Sequence, residues 1–305
     1  MTLAASFLIT GVNGLLGNRL CAQLVSDGQP VLGVSRGPAR LSQPGPYAPL
    51  ELTDTAAVEA LVSQHRPTVI IHPAAMTDLD RCEKDPAAAW ASNVTATANL
   101  ARAAASVGAH LVHVSTDYLF DGASGPYPED ASPHPIGVYA ITKHASEYAA
   151  SVLAPGCTIA RTAVVYGHIR GAKTNFGLWL YDTLSRGEQV RLFQDQFVTP
   201  SLADNVAQQL IELGTRRLSG VFNVCGADFV SRVEFGQVFC EVFGFDPGLL
   251  LSIRLADSGL VAHRPPRAGL TSDKARSVLH TPPLRLTESL QRFRELLLAT
   301  RTSTP

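Results

Sequence analysis

The chain has 305 residues, 46% hydrophobic and 17% charged, which is enough apolar material for one large domain or two fused lobes and excludes intrinsic disorder. A formal net charge of −1 supplies neither the basic field that nucleic acid requires nor a polybasic patch for an anionic membrane, so the expected partner is a small molecule. Five scattered cysteines (Cys21, Cys82, Cys157, Cys225, Cys240) contain no C-x-x-C pair, which argues against a disulfide framework or a zinc site and for a reducing cytoplasm. No basic leader precedes the first candidate strand and no apolar run approaches spanning length, so a cytoplasmic location with no membrane partner is expected.

Short β-rich runs alternate with helical stretches: Phe7–Thr10, Leu15–Val25, Val31–Val34, Thr55–Gln64, Val69–His72, Trp90–Ser106 and Leu111–Ser115. This rhythm predicts an α/β fold, a doubly wound parallel sheet with helices on both faces. The nearly continuous apolar run Thr68–His72 suits a central strand covered on both sides. A further helix covers Tyr139–Ser151. After Tyr166-Gly167 the rhythm loosens, with a helix near Leu178–Ser185 and a loop-like Val261–Leu270 carrying Pro265-Pro266. These pieces suggest a smaller lobe over the carboxyl edge of the sheet. Residues 1–167, with parts of 188–226 returning, form the expected dinucleotide-binding domain, and 168–187 with 227–305 form the substrate lobe. The polar tail Thr300–Pro305 is expected to fray.

Directly after the first strand stands Thr10-Gly11-Val12-Asn13-Gly14-Leu15-Leu16-Gly17, a G-x-x-G-x-x-G at a strand-to-helix junction. Gly11 permits the tight turn, Gly14 lets the backbone approach a pyrophosphate, and Gly17 lets helix and strand pack closely. Strand two ends Val34-Ser35-Arg36, where an NAD enzyme places a carboxylate against the ribose 2′-hydroxyl. A hydroxyl and a guanidinium suit a 2′-phosphate instead, so NADP(H) is preferred and NAD(H) remains open. The plain alternative is that Arg36 is a solvated loop arginine.

Only four lysines occur, yet Lys143 lies four residues after Tyr139, which puts both on one helix face, one turn apart. The strand before that helix ends in Ser115-Thr116, at the ligand edge of such a sheet. A phenol is a poor proton carrier at neutral pH unless a neighbouring ammonium favours the phenolate. Tyr139 is therefore the candidate general acid, Lys143 its tuning partner, and Thr116 the group that orients a carbonyl oxygen. An i,i+4 surface pair is the plain alternative.

These residues resemble the extended short-chain dehydrogenases/reductases, and within them the dTDP-4-dehydrorhamnose reductase group. The likeness runs through Thr10–Gly17, Ala74-Ala75-Met76-Thr77 with Asp80 and Glu83, Asn93, and Ser115-Thr116-Asp117-Tyr118-Leu119-Phe120-Asp121-Gly122. It continues through Tyr139–Lys143, Arg161-Thr162, Tyr166-Gly167, Asn175-Phe176, Asp195-Gln196, Thr199-Pro200 and Arg264-Pro265, almost the whole chain in order. The resemblance implies a catalytic triad of Thr116, Tyr139 and Lys143. It implies cofactor contacts at Gly11, Asn13, Gly14, Leu15, Leu16, Ser35, Arg36, Leu52, Ala74, Ala75, Met76, Asn93, Ser115 and Val164, besides Tyr139 and Lys143. It also implies a nucleotide-sugar substrate held by Thr77, Asp117, Tyr118, Val164, Asn175, Phe176, Gln196, Arg264 and Arg267.

One departure bears on the substrate: the rhamnose-pathway reductases carry a tryptophan where this chain has Val164, so a stacking surface is missing. The dehydratases that the chain resembles read Thr-Asp-Glu where this chain has Thr116-Asp117-Tyr118, which argues against elimination and leaves reduction of a 4-keto group. A sugar-nucleotide epimerase shares the hydride chemistry, and an NADP preference weighs against it. The same group resembles the regulatory β subunit of methionine adenosyltransferase, so a non-catalytic NADP-binding subunit is the alternative from another class. No metal site is expected, because His110 and His113 fall on opposite faces of one strand. Trp90 and Trp179 are expected to pack. The oligomer is not fixed by sequence, and a homodimer is kept open.

Overall fold

The computed structural model describes residues 6–40, 44–171, 173–257, 259 and 262–302. The first half comprises β1 (Phe7–Thr10), α1 (Leu15–Ser26), β2 (Val31–Ser35), β3 (Tyr47–Pro49), α2 (Thr55–His65), β4 (Val69–His72), α3 (Leu79–Lys84), α4 (Pro86–Trp90), α5 (Ala96–Val107) and β5 (His110–Thr116). It is followed by α6 (Val138–Leu153), β6 (Thr158–Thr162), β7 (Val165–Tyr166), α7 (Phe176–Ser185), β8 (Val190–Phe193), β9 (Phe197–Val198) and β10 (Ser201–Leu202). Then come α8 (Ala203–Thr215), β11 (Gly220–Asn223), β12 (Val230–Ser231), α9 (Arg232–Phe243), β13 (Leu250–Ile253), α10 (Asp273–Val278) and α11 (Leu286–Thr302).

Seven parallel strands form the main sheet in the order β11-β6-β5-β4-β1-β2-β3. The expected doubly wound α/β fold is therefore present. β1 and β4 are fully buried along their length, as strands covered on both faces must be. One face is packed by α1 and α8, through Leu20, Leu24, Val206 and Leu210, and the other by α2, α5 and α6, through Val58, Leu100 and Ala150. Strand order reverses between β1 and β4, and ligand crevices in open sheets form at the carboxyl ends of strands beside such a switch.

A second core gathers Tyr166, Leu180, Leu192, Phe235, Phe239 and Phe293 from β7, α7, β8, α9 and α11. β11 returns to the main sheet, and α8 packs below it. α10 also returns, because Ala275 and Leu279 pack into the core of the first sheet. The last helix runs through Thr302, so fraying does not begin at Thr300; residues 303–305 lie outside the described set, as does Val261 in the loop-like stretch.

Several elements differ from the sequence reading, which named only β1, β2, β4 and β5 of the main sheet. The single helix expected over Trp90–Ser106 is broken into α4, a π-type turn at Ala91–Thr95, and α5. Asn93 sits in that turn with its Oδ1 accepting from Met76 N at 2.7 Å and its Nδ2 donating to Met76 O at 3.2 Å, a tertiary demand that periodicity does not register. β6, β11 and β3 were not expected; β3, Tyr47-Ala48-Pro49, pairs only on one side, at the sheet edge.

α6 is tied to β6 by a bidentate pair. Arg161 Nε and Nη2 donate to Glu147 Oε1 and Oε2 at 3.0 and 2.9 Å, with side chains only 5% and 9% exposed. Glu147→Gln should leave a buried guanidinium without its counter-ion and cost about 3–5 kcal/mol. Urea unfolding checks this, and an unchanged midpoint would show that the pair does not hold α6 down.

Candidate active site

The strand-to-helix loop after β1 has the geometry expected of its glycines. Gly11 has φ +66°, and a Cβ there would lie 3.0 Å from Ala74 Cα. A Cβ on Gly17 would lie 2.5 Å from Gly11 O, so only glycine lets α1 close on the loop. Gly14 is the N-cap of α1, and a Cβ there would meet only Gly11 O, at 3.2 Å. The helix start therefore presents open backbone with its positive dipole end outward, a cradle for an anion.

Ser35 and Arg36 follow at the end of β2. Ser35 Oγ accepts from Asn13 N at 3.0 Å, which couples the second strand to the glycine loop, and Arg36 is exposed beside it. Asn13 also holds the next turn, donating to Pro38 O at 3.1 Å and accepting from Arg40 N at 2.9 Å. Leu52 lies in the core with its carbonyl accepting from Asn99 Nδ2 at 3.1 Å. Ala74 and Ala75 are half-buried opposite Gly11, Met76 is buried, and Thr77 is exposed. Both amide hydrogens of Asn93 are engaged, one by Met76 O and the other by Thr142 Oγ1 at 3.0 Å, so it shapes segment 74–77 against α6.

Thr116 ends β5, and its Oγ1 accepts from Tyr118 N at 3.2 Å and donates to Asp117 Oδ1 at 3.1 Å. Tyr139 stands in the first turn of α6, whose opening is fixed by Glu83 Oε1 accepting from Val138 N at 2.8 Å. Burial pushes the Tyr139 hydroxyl above the usual tyrosine range, against a hydrogen bond with Thr116 that lowers it. The sequence reading expects a lowering from the Lys143 ammonium together with the positive charge of an oxidised nicotinamide; in the chain alone burial outweighs it. Lys143 Nζ instead donates to Val114 O at 2.8 Å and faces His113 Nε2 at 3.2 Å, and its pKa is pushed down to about 8 by burial. Asp117 is pushed up to about 7 by burial, with Oδ2 unpartnered. The Oγ of Ser115 and the Oγ1 of Thr162 are likewise buried without partners at this edge of the sheet.

Beyond Tyr139 opens a cavity of about 340 Å³, walled by Tyr118, Phe176, Trp179, Gln196, Arg232 and Arg264. Tyr118 packs edge-on to Tyr139 with ring centroids 6.0 Å apart, which links the cavity to the hydroxyl pair. Asn175 caps α7, accepting from Leu178 N at 3.3 Å and donating to Gly167 O at 2.8 Å, and thereby sets Phe176 in the wall. Arg264 Nη2 stands 3.8 Å from Asp80 Oδ1. Arg267 does not line this cavity; its guanidinium lies over Phe197 and Phe229, 4.5 and 5.1 Å from their ring centroids, which gives it a packing role. Val164 is half-buried at φ +38°, an unusual conformation for a β-branched residue.

Sequence reasoning missed Arg232. Its guanidinium lies 4.4 Å from the Phe176 ring centroid, its Nε donates to Gln196 Oε1 at 3.1 Å, and its buried Nη1 has no partner. A signal existed, because a cation in the first turn of a helix opposes the macrodipole, and such a local rule violation marks functional positions. Trp179, expected to pack, is 39% exposed on the cavity wall, and Trp90 is 49% exposed. The five cysteines are free and buried, and no His/Cys/Asp/Glu cluster able to hold a metal occurs among the described residues. No helix among them is long and apolar enough to cross a membrane.

Known proteins share this arrangement. A family model described as RmlD substrate binding domain matches residues 5–298. The probable low-salt glycan biosynthesis reductase Agl14 of Haloferax volcanii is 38% identical over 86% of this chain and 88% of its own length. Methionine adenosyltransferase 2 subunit beta of Xenopus laevis is 34% identical over 77% of this chain and 71% of its own. The crystal structure of dTDP-4-dehydrorhamnose reductase from Bacillus anthracis in complex with NADP matches with a TM-score of 0.86 at 26% identity, over 96% of this chain and 99% of that one. With a match that spans nearly all of its length, this chain belongs to the RmlD substrate binding domain family.

Proposed function

We propose that this chain is a cytoplasmic oxidoreductase of the extended short-chain dehydrogenase/reductase class that reduces the 4-keto group of a nucleotide-activated deoxysugar with NADPH. One observation carries this reading: Thr116 ends β5 at the carboxyl edge of a parallel sheet and Tyr139, in the first turn of α6, packs against Tyr118 beside it, between a glycine-lined helix start and an arginine-walled cavity. Residues 1–167 with parts of 188–226, and α10, make the dinucleotide domain in this proposal; 168–187 and the rest of 227–305 make the substrate lobe. α6 leaves Ile141, Tyr148 and Val152 exposed along one side, a surface that suits a homodimer.

The residues present fit the cofactor. Gly11, Gly14 and the first turn of α1 would receive the pyrophosphate, with Asn13, Leu15 and Leu16 around it, Ser35 and Arg36 the 2′-phosphate, Leu52 the adenine side, and Ala74, Ala75, Met76 and Ser115 the walls. When bound, NADPH supplies the hydride. Tyr139 gives its proton to the oxygen that becomes an alkoxide, and burial suits it to that task by keeping the phenol protonated until charge develops. Thr116, whose hydroxyl hydrogen rests on Asp117 Oδ1, would turn it to the same oxygen when substrate binds, and Lys143 stands one helical turn behind. Thr77, Asp117, Tyr118, Val164, Asn175 and Phe176 border the sugar. Gln196, Arg232 and Arg264 face the nucleotide diphosphate, for which the unpartnered Arg232 Nη1 is the clearest donor.

A second reading rests on the 34% identity with the adenosyltransferase β subunit, in which the dinucleotide would be a structural ligand. NADPH oxidation with nucleotide keto sugars supports the reductase; inertness across a broad panel, with tight NADPH binding and copurification of a synthetase, would favour the regulatory subunit.

Arg36→Ala should weaken NADPH binding about ten- to a hundred-fold and leave NADH unchanged, since a charge-assisted hydrogen bond contributes roughly 1.5–3 kcal/mol; equal weakening of both cofactors would remove the 2′-phosphate assignment. Arg232→Ala should raise KM for the nucleotide sugar at least about tenfold with a smaller change in kcat, by the same magnitude of lost hydrogen bond. A loss confined to kcat would place this residue at the chemistry. Tyr139→Phe should keep the fold and NADPH affinity while lowering single-turnover reduction about 10²–10⁴-fold. Lost NADPH binding would make Tyr139 structural, and full activity would require another acid.

A further inference from the structure

On the sheet face covered by α5 and α6, two buried histidines stand side by side on neighbouring strands. His72 of β4 and His113 of β5 are register partners, with ring centroids 5.4 Å apart. His72 is satisfied in one neutral form. Thr97 donates its hydroxyl hydrogen to Asn93 O at 2.6 Å, so its oxygen accepts from His72 Nε2 at 3.1 Å, and Thr10 Oγ1 donates to Nδ1 at 2.8 Å. Burial pushes its pKa down to about 3, so it stays neutral.

His113 has no such single answer. Its Nε2 faces Ser146 Oγ at 2.9 Å and Lys143 Nζ at 3.2 Å, while its Nδ1 is buried without a partner. Ser146 donates its one hydroxyl hydrogen to Lys143 O at 2.7 Å, so towards His113 it can only accept. With the proton on Nε2, the imidazole satisfies Ser146 but turns an N–H towards the Lys143 ammonium. With the proton on Nδ1, it offers Lys143 a lone pair but buries an unmet N–H and leaves Ser146 without a donor. The two requirements compete for one nitrogen.

We propose that His113 is a positioning residue for Lys143: the tautomer of its imidazole sets how readily the Lys143 amine carries a charge, and Ser146 biases that tautomer towards Nε2–H, against the charge. The other groups around Lys143 do not offer this choice. Glu147, on α6 itself, favours the charged amine but is held by Arg161 of β6; His72 of β4 is fixed neutral; Thr97 of α5 is uncharged; Asp117 and Cys82 bear on Tyr139. The catalytic consequence rests on the reductase reading, in which Lys143 supports Tyr139. The coupling itself is a property of the buried cluster.

The test is the titration of Lys143 in the full chain, followed by NMR of ¹³Cε-labelled lysine, which is tractable because the chain has only Lys84, Lys143, Lys173 and Lys274. Ser146→Ala removes the competing acceptor and should raise the Lys143 midpoint by about one pH unit, a tenfold change in the charged-to-neutral ratio. The same substitution in a His113→Phe background should produce no shift. ¹⁵N shifts of the His113 imidazole in Ser146→Ala should pass from the Nε2–H to the Nδ1–H pattern, a readout that survives if the phenylalanine variant does not fold. An unmoved midpoint, an equal shift in both backgrounds or an unchanged tautomer would overturn the coupling. None of these measurements needs substrate. If the midpoint moves but the alkaline limb of NADPH oxidation does not follow it, the coupling stands and the role given to Lys143 in the reductase reading fails.

Discussion

The docking of α6 on β5 and β6 is the constraint on which the site depends. A helix held only by apolar contacts can shift by a fraction of a turn at little cost, because aliphatic surfaces are not directional. α6 is held by directional contacts along its length: Val138 N to Glu83, Thr142 to Asn93, Lys143 to Val114 O, and Glu147 to Arg161. Each partner lies on a different element, so displacing the helix would leave several buried polar groups unmet at once. The register of Tyr139 opposite Thr116 follows from these anchors, not from the pair itself.

Around that fixed centre the charges are distributed with a purpose visible in their positions. Exposed Arg36 and the open start of α1 make one end of the edge attractive to anions, and Arg232 with Arg264 does so at the other. The middle carries hydroxyls, Thr116 and Tyr139, and a carboxyl, Asp117, that burial pushes up to about 7, so that it is only partly ionised near neutrality. Two cationic ends separated by a centre of low charge suit two anionic molecules meeting through their neutral portions, and a fully ionised carboxylate at the centre would weaken the attraction of both ends.

Much of this was legible in the sequence because its signals are local. The alternation of apolar runs gave four of the seven main-sheet strands, β1, β2, β4 and β5, and the helices α1, α2, α6 and α7 to within about two residues, and the glycine spacing gave the loop. The i,i+4 pair of Tyr139 and Lys143 gave one helix face. What was not legible depends on remote segments. Of the cavity wall, Tyr118, Phe176, Gln196 and Arg264 were named by the family resemblance and by no local pattern, and Arg232, which lies outside the segments that carry it, was missed. Arg264 and Arg267 flank the same proline pair and look alike in sequence; the aromatic faces of Phe197 and Phe229 separate them. The direction of the Lys143 amine likewise depends on a carbonyl of the strand beneath it.

Val164 joins these two kinds of information. Its neighbours in sequence resemble the family, and its identity departs from it by removing an aromatic wall. The structure adds that its backbone is at φ +38°, which a β-branched side chain tolerates poorly. Its carbonyl accepts from Ser201 N at 3.2 Å, beside the short pairing of β7 with β10, so the chain path is imposed from outside. Glycine or asparagine would fit that path with less strain. The backbone of Val164 is thus set by its neighbours, and in the proposed reductase it is the valine side chain carried on that path that would border the sugar.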